Sequence, residues 1–479
     1  MTQRDHLPVA VIGGGPVGLA AAAHLLERGL EAVVFEAGPT VGASVLGWGH
    51  VRLFSPWRYV VDEAARRLLE PTGWAAPDPA VYPTGREIVE GYLAPLAVTE
   101  PLRARVRLGL RVVAVVRAGF DKMKTEGRED APFLLTLRDE AGVESTVLAR
   151  AVVDASGTSG TLNPVGASGV PAIGERALAD RIFSGMPDVL EAHRARYAGR
   201  RVAVVGSGHS AFNALIDLVD LAAEAPGTSV TWVVRKPADR MRNLFGGGID
   251  DALPARGELG ARVRRLVDDG RLRMVTGFRV VRLTDSPEGI ILAADDAVLA
   301  PVDEVVAATG LRPDLSFLSE LRLGLDPAVE SPTALAPLID PNVHSCGSVP
   351  PHGAQELRHP EVDLYLVGMK SYGRAPTFLM LTGYEQVRSV AAALAGDWVT
   401  AREVHLILPE TGVCSSAPLA ERGVACCGTD AARDESSDAA CCNAPVAAAT
   451  TTSAGSACCG DAVPQVVQLT AAAKGGCCA

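Results

Sequence analysis

Residues 7–38, "LPVAVIGGGPVGLAAAAHLLERGLEAVVFEAG", constrain the fold of this chain more than any other stretch. A short apolar run leads into Gly13-x-Gly15-x-x-Gly18. An Ala/Leu-rich helical pattern follows and stops at Gly29, and a second apolar run ends at Glu36. Strand, glycine turn, helix and strand make one βαβ unit, whose parallel strands need helices on both faces of the sheet. Residues 200–236, "RRVAVVGSGHSAFNALIDLVDLAAEAPGTSVTWVVRK", repeat the design with Gly206-x-Gly208-x-x-Ala211 and end at Arg235 and Lys236. The predicted fold is therefore α/β, with two Rossmann-like units.

Each glycine in the first turn has a separate physical task. Gly13 permits the tight turn, Gly15 lets the backbone approach a pyrophosphate, and Gly18 lets helix and strand pack closely. The helix N-terminus then faces the phosphates, and Glu36, 23 residues after Gly13, accepts hydrogen bonds from an adenosine ribose. The second unit has no acidic residue at the equivalent strand end. Arg235 and Lys236 stand there, where a carboxylate would repel a 2′-phosphate and a guanidinium would pair with it. The first unit is predicted to hold FAD and the second NADPH, with Gly206, Gly208, Ser210 and Ala211 at the second turn. The plain alternative for Arg235 is a solvated charge at a strand end.

The β-branched runs "ARAVVDASGT" (149–158) and "VDEVVAATGLRP" (302–313) end in small residues, as strands do where backbone must approach a ligand. They add Asp154, Gly157, Thr309 and Gly310 to the cofactor candidates, and Gly368 joins them from "LYLVGMKSYG". Alternating runs in 101–150 predict a small antiparallel sheet inserted in the first domain. The expected divisions are 1–185 for the first part of the FAD domain, 186–313 for the NADPH domain, 314–408 for the closing part of the FAD domain, and 409–479 for a low-complexity, disordered tail.

The pattern resembles the two-dinucleotide-binding-domain flavoproteins and, within them, the flavin-containing (class B) monooxygenases. The likeness rests on "VIGGGPVGLAAAAHL", "YAGRRVAVVGSGHSAFNAL" and "VVAATGLRPD" and spans roughly residues 7–400. Two places depart from related patterns. Phe183, Gly185 and His193 precede the second turn with a spacing unlike the monooxygenase signature, and Met369 stands where disulfide reductases carry an aspartate. The resemblance implies NADPH- and FAD-dependent oxidation.

Cysteine placement separates the enzymatic alternatives. Only Cys346 lies in the first 413 residues, so neither a CxxxxC after the first unit nor a CxxC in the second is present to receive electrons from reduced flavin. Oxygen chemistry instead needs a water-poor pocket and bound NADP⁺ rather than a dedicated nucleophile. Candidate lining residues are Trp48, His50, Ser55 and Trp57, with Lys370, Thr377 and Phe378 near the closing helix. The sequence identifies no general acid or base.

The other nine cysteines fall between Cys414 and Cys478, eight of them as the pairs Cys426-Cys427, Cys441-Cys442, Cys458-Cys459 and Cys477-Cys478. Adjacent residues have Cα atoms about 3.8 Å apart, below the usual disulfide range, so vicinal thiols are better suited to a soft ion than to a disulfide. These eight are candidate ligands for a metal or metalloid. The body followed by cysteine pairs also resembles flavoproteins associated with bacterial arsenic resistance, which implies a trivalent arsenical as substrate. A reductase using tail pairs as an electron relay, and a metal sensor or chaperone with an inactive flavin domain, are the rival readings.

A formal net charge of −11 and the lack of a basic block argue against nucleic acid and anionic membranes as partners, leaving a small molecule or metalloid. The uncharged run from Leu7 to Leu26 is broken by four glycines and reads as strand and helix rather than a membrane span. With no segment reading as a membrane span and the cysteines clustered in the tail rather than spread as a secreted disulfide scaffold, a cytoplasmic location is expected, and a homodimer is left open.

Overall fold

Ten of the fifteen strands described here lie in two parallel sheets, as the duplicated glycine turns require. The computed structural model describes residues 3–240, 244–245, 253–343, 349–375 and 379–406. The first sheet runs β15-β7-β1-β2-β3, with β1 at Val9–Ile12, β2 at Ala32–Phe35, β3 at Val106–Arg107, β7 at Ala151–Asp154 and β15 at Leu364–Leu366. β1 pairs in parallel with both β2 and β7, and its four residues are all buried. Helices cover it: Pro16–Glu27 packs against Met380–Leu394, which closes the domain from the far end of the described chain. A run of alanines, Ala20–Ala23, is buried on the first helix and lets it sit close to its neighbours.

The second sheet runs β11-β10-β9-β14-β8, with β8 at Ile182–Ser184, β9 at Arg201–Val205, β10 at Ser229–Val234, β11 at Arg273–Thr276 and β14 at Glu304–Ala307. The helices His209–Glu224 and Pro254–Asp268 pack together beside it. A two-stranded antiparallel ribbon, β12 (Arg282–Ser286) with β13 (Gly289–Ala293), extends this unit. The expected boundary at 185 falls just after β8, yet β8 pairs with β14. Val165, Ala172 and Leu178 share a core with Val205 and Val305, so the chain enters the second unit some twenty residues before that boundary.

The antiparallel insert is present as β4 (Arg111–Arg117), β5 (Phe133–Arg138) and β6 (Glu144–Ala149). Its inner face, Val112, Val115, Phe133, Leu135 and Leu137, packs on the first sheet. Beneath it lies an ionic cluster in which Glu361 accepts hydrogen bonds from Arg117 Nε (2.7 Å) and Arg128 Nη2 (2.9 Å), all three side chains being almost wholly buried. Arg117 also stacks 3.8 Å above the Phe133 ring, so the cluster ties the insert to the turn that leads into β15. Among the described residues no helix is long and apolar enough to cross a membrane.

Candidate functional site

At the first turn the three glycines meet three different surroundings. A Cβ on Gly13, whose φ is +100°, would come within 2.8 Å of the Ala155 carbonyl oxygen at the end of β7. On Gly18 it would lie 1.9 Å from the Gly13 carbonyl oxygen, so only glycine lets the helix leave the turn this tightly. Gly15 is the opposite case, because a Cβ there would point into open space and meet no protein atom within 4 Å. Gly15 is the N-cap of the helix, carries no side-chain cap, and is followed by Pro16 at the first helical position. Amides at such a helix start are an anion site, so the turn has both the room and the donors that a pyrophosphate needs.

Glu36 directly follows β2, with its side chain buried. Its Oε2 accepts from the Gly14 amide at 2.6 Å and its Oε1 from the Gly38 amide at 2.7 Å. Both oxygens keep lone pairs for ribose hydroxyls, since a carboxylate offers about four acceptor positions. The carboxylate is thus fixed in place before any ligand arrives.

A cavity of about 330 Å³ opens beside this turn. Gly13, Gly15, Glu36 and Gly42 edge it, Ala155–Ser159 form one wall, and Trp48, Leu53, Phe54, Tyr59, Leu379 and Met380 make the rest mostly apolar. Of the candidates, Trp48, Ser55, Gly157 and Gly368 lie on this wall. Trp57 does not, because a short helical turn at Trp57–Tyr59 carries its indole into the core. His50 is also displaced: it hydrogen-bonds the Pro187 backbone beside Asp188 and His193, and burial lowers its pKa. Asp154 and Lys370 sit behind the wall. Both are fully buried, with Lys370 Nζ 2.6 Å from Asp154 Oδ2 and 4.4 Å from the centre of the Phe317 ring. Thr377, Phe378, Cys346 and all the tail cysteines, including the candidate ligands Cys426, Cys427, Cys441, Cys442, Cys458, Cys459, Cys477 and Cys478, lie outside the described residues. Among the described residues no cluster of three or more His, Cys, Asp or Glu side chains could hold a metal.

Gly368, with φ +67°, packs its Cα side against Val17, and its amide donates to Gln386 Oε1 at 2.7 Å. Gln386 Nε2 in turn lies 2.9 Å from His352 Nε2, while His352 Nδ1 lies 3.1 Å from the Pro350 carbonyl oxygen. A donating Nδ1 leaves Nε2 free to accept, so the pattern fits a neutral imidazole, and burial lowers the His352 pKa in the same sense. This network braces the turn that follows β15.

The second turn is built alike but faces open surroundings. Gly206 (φ +140°) would place a Cβ 2.1 Å from the Ala308 carbonyl oxygen, whereas Gly208, N-cap of His209–Glu224, meets nothing within 4 Å and has no side-chain cap. Ala211 is buried in that helix and Ser210 is half-buried beside it. Arg235 and Lys236 are exposed past the end of β10, and Arg235 Nη1 makes a 3.5 Å contact to the Ala167 carbonyl oxygen. Thr309 and Gly310 lie where the chain crosses between the units and bond to Asn163. The Thr309 hydroxyl donates to the Asn163 carbonyl oxygen at 2.6 Å, the Asn163 amide donates to the Gly310 carbonyl oxygen at 2.9 Å, and Arg312 Nε donates to Asn163 Oδ1 at 2.9 Å. These bonds stitch together the two chain crossings between the units. Sequence reasoning missed Leu53, Phe54, Tyr59, Ser156 and Leu311 on the cavity wall, although each lies in or next to a segment it had singled out.

Two glycine turns with uncapped helix starts, one beside a cavity and one at the surface, define a two-dinucleotide-binding-domain flavoprotein. The chain belongs to the pyridine nucleotide-disulphide oxidoreductase family, whose model matches residues 7–356. It is an FAD- and NAD(P)H-dependent oxidoreductase. A ferredoxin–NADP reductase from Salinispora tropica is 30% identical over 318 residues, 66% of this chain and 78% of that protein. The fold is shared with bacillithiol disulfide reductase Bdr from Bacillus cereus (TM-score 0.58, 19% identity, 81% of this chain and 99% of that one). It is shared as well with ornithine hydroxylase from Pseudomonas aeruginosa (TM-score 0.52, 19% identity, 83% and 100%).

Proposed function

We propose that this protein is a monooxygenase-like enzyme that uses NADPH and FAD to oxidise a small thiophilic substrate such as a trivalent arsenical, with the tail cysteine pairs capturing that substrate. The observation that carries the reading is the cavity beside the Gly13 turn, whose wall is largely apolar and, among the described residues, holds no thiol. Bound there, FAD supplies a hydride acceptor and a ring that reacts with oxygen. The chain's own residues do the rest. The amides at Gly15 and the Glu36 carboxylate hold the dinucleotide, the Gly208 helix start and Arg235 receive NADPH, and Leu53, Phe54, Leu379 and Met380 keep water out. For arsenite the balance is NADPH, a proton, dioxygen and arsenite giving NADP⁺, water and arsenate.

The test is NADPH oxidation by the purified flavoprotein, with and without arsenite, in air and under anaerobiosis. Stimulation that stops without oxygen is the expected result. The second reading, a reductase passing electrons through a tail cysteine pair, draws on the 30% identity to a protein named as a reductase, and it predicts turnover that persists without oxygen. Negligible flavin reduction by NADPH, with stoichiometric metal binding, would instead leave a metal sensor or chaperone. Removing residues 409–479 is expected to raise the arsenite concentration needed for half-maximal turnover. Unchanged turnover and metal tolerance would separate the tail from the reaction.

A further inference from the structure

Lys370 and Asp154 form an ion pair with no exposed side-chain surface, an arrangement whose desolvation cost often cancels its attraction. The pair is therefore poorly explained by stability alone, and its surroundings suggest another use. Lys370 Nζ also donates to Ser156 Oγ at 2.9 Å, and the Ser156 amide donates to Asp154 Oδ1 at 3.0 Å. Ser156 itself stands on the cavity wall, in the loop that follows β7, so it is held from behind by both charged partners.

An ammonium group only donates, so Ser156 Oγ must be the acceptor in its bond to Lys370. The one hydroxyl proton is then left to point elsewhere, and no hydrogen bond from it to a protein acceptor is found among the described residues. The open side of Ser156 is the cavity. We infer that Ser156 is a hydrogen-bond donor to FAD, fixed in its donating orientation by Lys370 and Asp154 as positioning residues. A hydroxyl that already accepts from a cation is a stronger donor, so the bond would favour an electron-rich acceptor atom on the cofactor. No proton need be transferred for this; the hydroxyl only donates.

The inference is tested by the FAD dissociation constant, visible flavin spectrum and midpoint potential of purified variants, none of which needs a substrate. Ser156→Ala is expected to weaken FAD binding about tenfold, to shift the visible absorption bands and to lower the midpoint potential. Ser156→Thr keeps the hydroxyl and is expected to restore all three. Lys370→Met alone strands a buried carboxylate and is a poor test of role, so the pair is removed together as Asp154→Asn with Lys370→Met. That double variant keeps the serine but frees its hydroxyl to turn away, and its FAD affinity and potential should fall between those of wild type and Ser156→Ala. Wild-type FAD affinity, spectrum and potential in Ser156→Ala would overturn the inference. A Ser156→Thr variant as impaired as Ser156→Ala would also overturn it, since the side chain would then matter for shape alone. Loss of arsenite turnover with FAD properties unchanged bears on the proposed substrate and would likewise remove the flavin contact.

Discussion

The two glycine turns share one backbone design and differ in how much of their ligand site is finished before a ligand arrives. At the first, Glu36 is buried and clamped by two backbone amides, and the turn opens on a walled cavity. At the second, Arg235 and Lys236 are exposed, and the side-chain contact described for Arg235 is 3.5 Å long. Preorganisation removes ordering costs from binding, and its absence leaves them to be met on every visit. The first turn is suited to a dinucleotide that stays and the second to one that exchanges.

The comparison is broken most severely by filling the two cradles. At Gly15 and Gly208 an added Cβ meets no atom of the described residues within 4 Å, so Val at either position should fold and obstruct the ligand. Gly15→Val is expected to purify without yellow colour. Gly208→Val should stay yellow while its flavin is no longer reduced by NADPH. A Gly15→Val protein that retains FAD would sink the assignment of the first turn.

Acid should reach the first unit through its buried histidines. Burial pushes the His359 imidazole down to about 4, and its Nδ1 accepts from the Gly324 amide at 3.3 Å, which requires the neutral ring. The folded value lies below the ordinary 6.5, so the unfolded chain binds the extra proton. Stability is complete above pH 6.5 and declines as pH falls towards 4, by on the order of 3 kcal/mol. Thermal melts of wild type and His359→Gln across that window check the sign: the variant should show a shallower decline. Equal slopes would place the acid sensitivity elsewhere.

Glu36→Gln sharpens the contrast at smaller cost. The amide retains one acceptor oxygen but turns an NH₂ towards either the Gly14 or the Gly38 amide, a donor facing a donor. About 1–2 kcal/mol of FAD affinity should go, roughly a tenfold change, measured by fluorescence titration of the apoprotein. Wild-type affinity would mean that the clamp is not what readies the first site.

What the sequence made legible follows from which features are local. The turn glycines, Glu36 and the strands around them are set by steric demands within a few residues, and the structure places them as those demands require. The antiparallel insert was equally visible, because alternation over β4–β6 is a local period. Side-chain direction in loops is another matter. Trp48, His50, Ser55 and Trp57 were singled out, but the short turn at Trp57–Tyr59 sends Trp57 into the core and leaves Leu53, Phe54 and Tyr59 on the cavity, a choice no period encodes. Lys370 likewise follows Gly368, whose positive φ redirects the chain so that Met369 reaches the wall and Lys370 goes behind it. The Thr309 bond was equally out of reach, because its partner, Asn163, is 146 residues away.

The mildest test addresses the second turn, where charge rather than shape is expected to discriminate. Arg235 is exposed, so Arg235→Ala should leave folding and FAD content unchanged. If its guanidinium pairs with a 2′-phosphate, the ratio of kcat/KM for NADPH over NADH should fall about tenfold, with the loss confined to NADPH. Salt should imitate the mutation, because an exposed ion pair is screened within a Debye length of ~8 Å at physiological ionic strength. NADPH preference in wild type should therefore decline with added salt, and in Arg235→Ala it should already be low and insensitive. At the first turn, where Glu36 is enclosed, the same salt should leave FAD in place. A preference that survives both Arg235→Ala and salt would move discrimination to another residue and make the second site more preformed than its exposed cations imply.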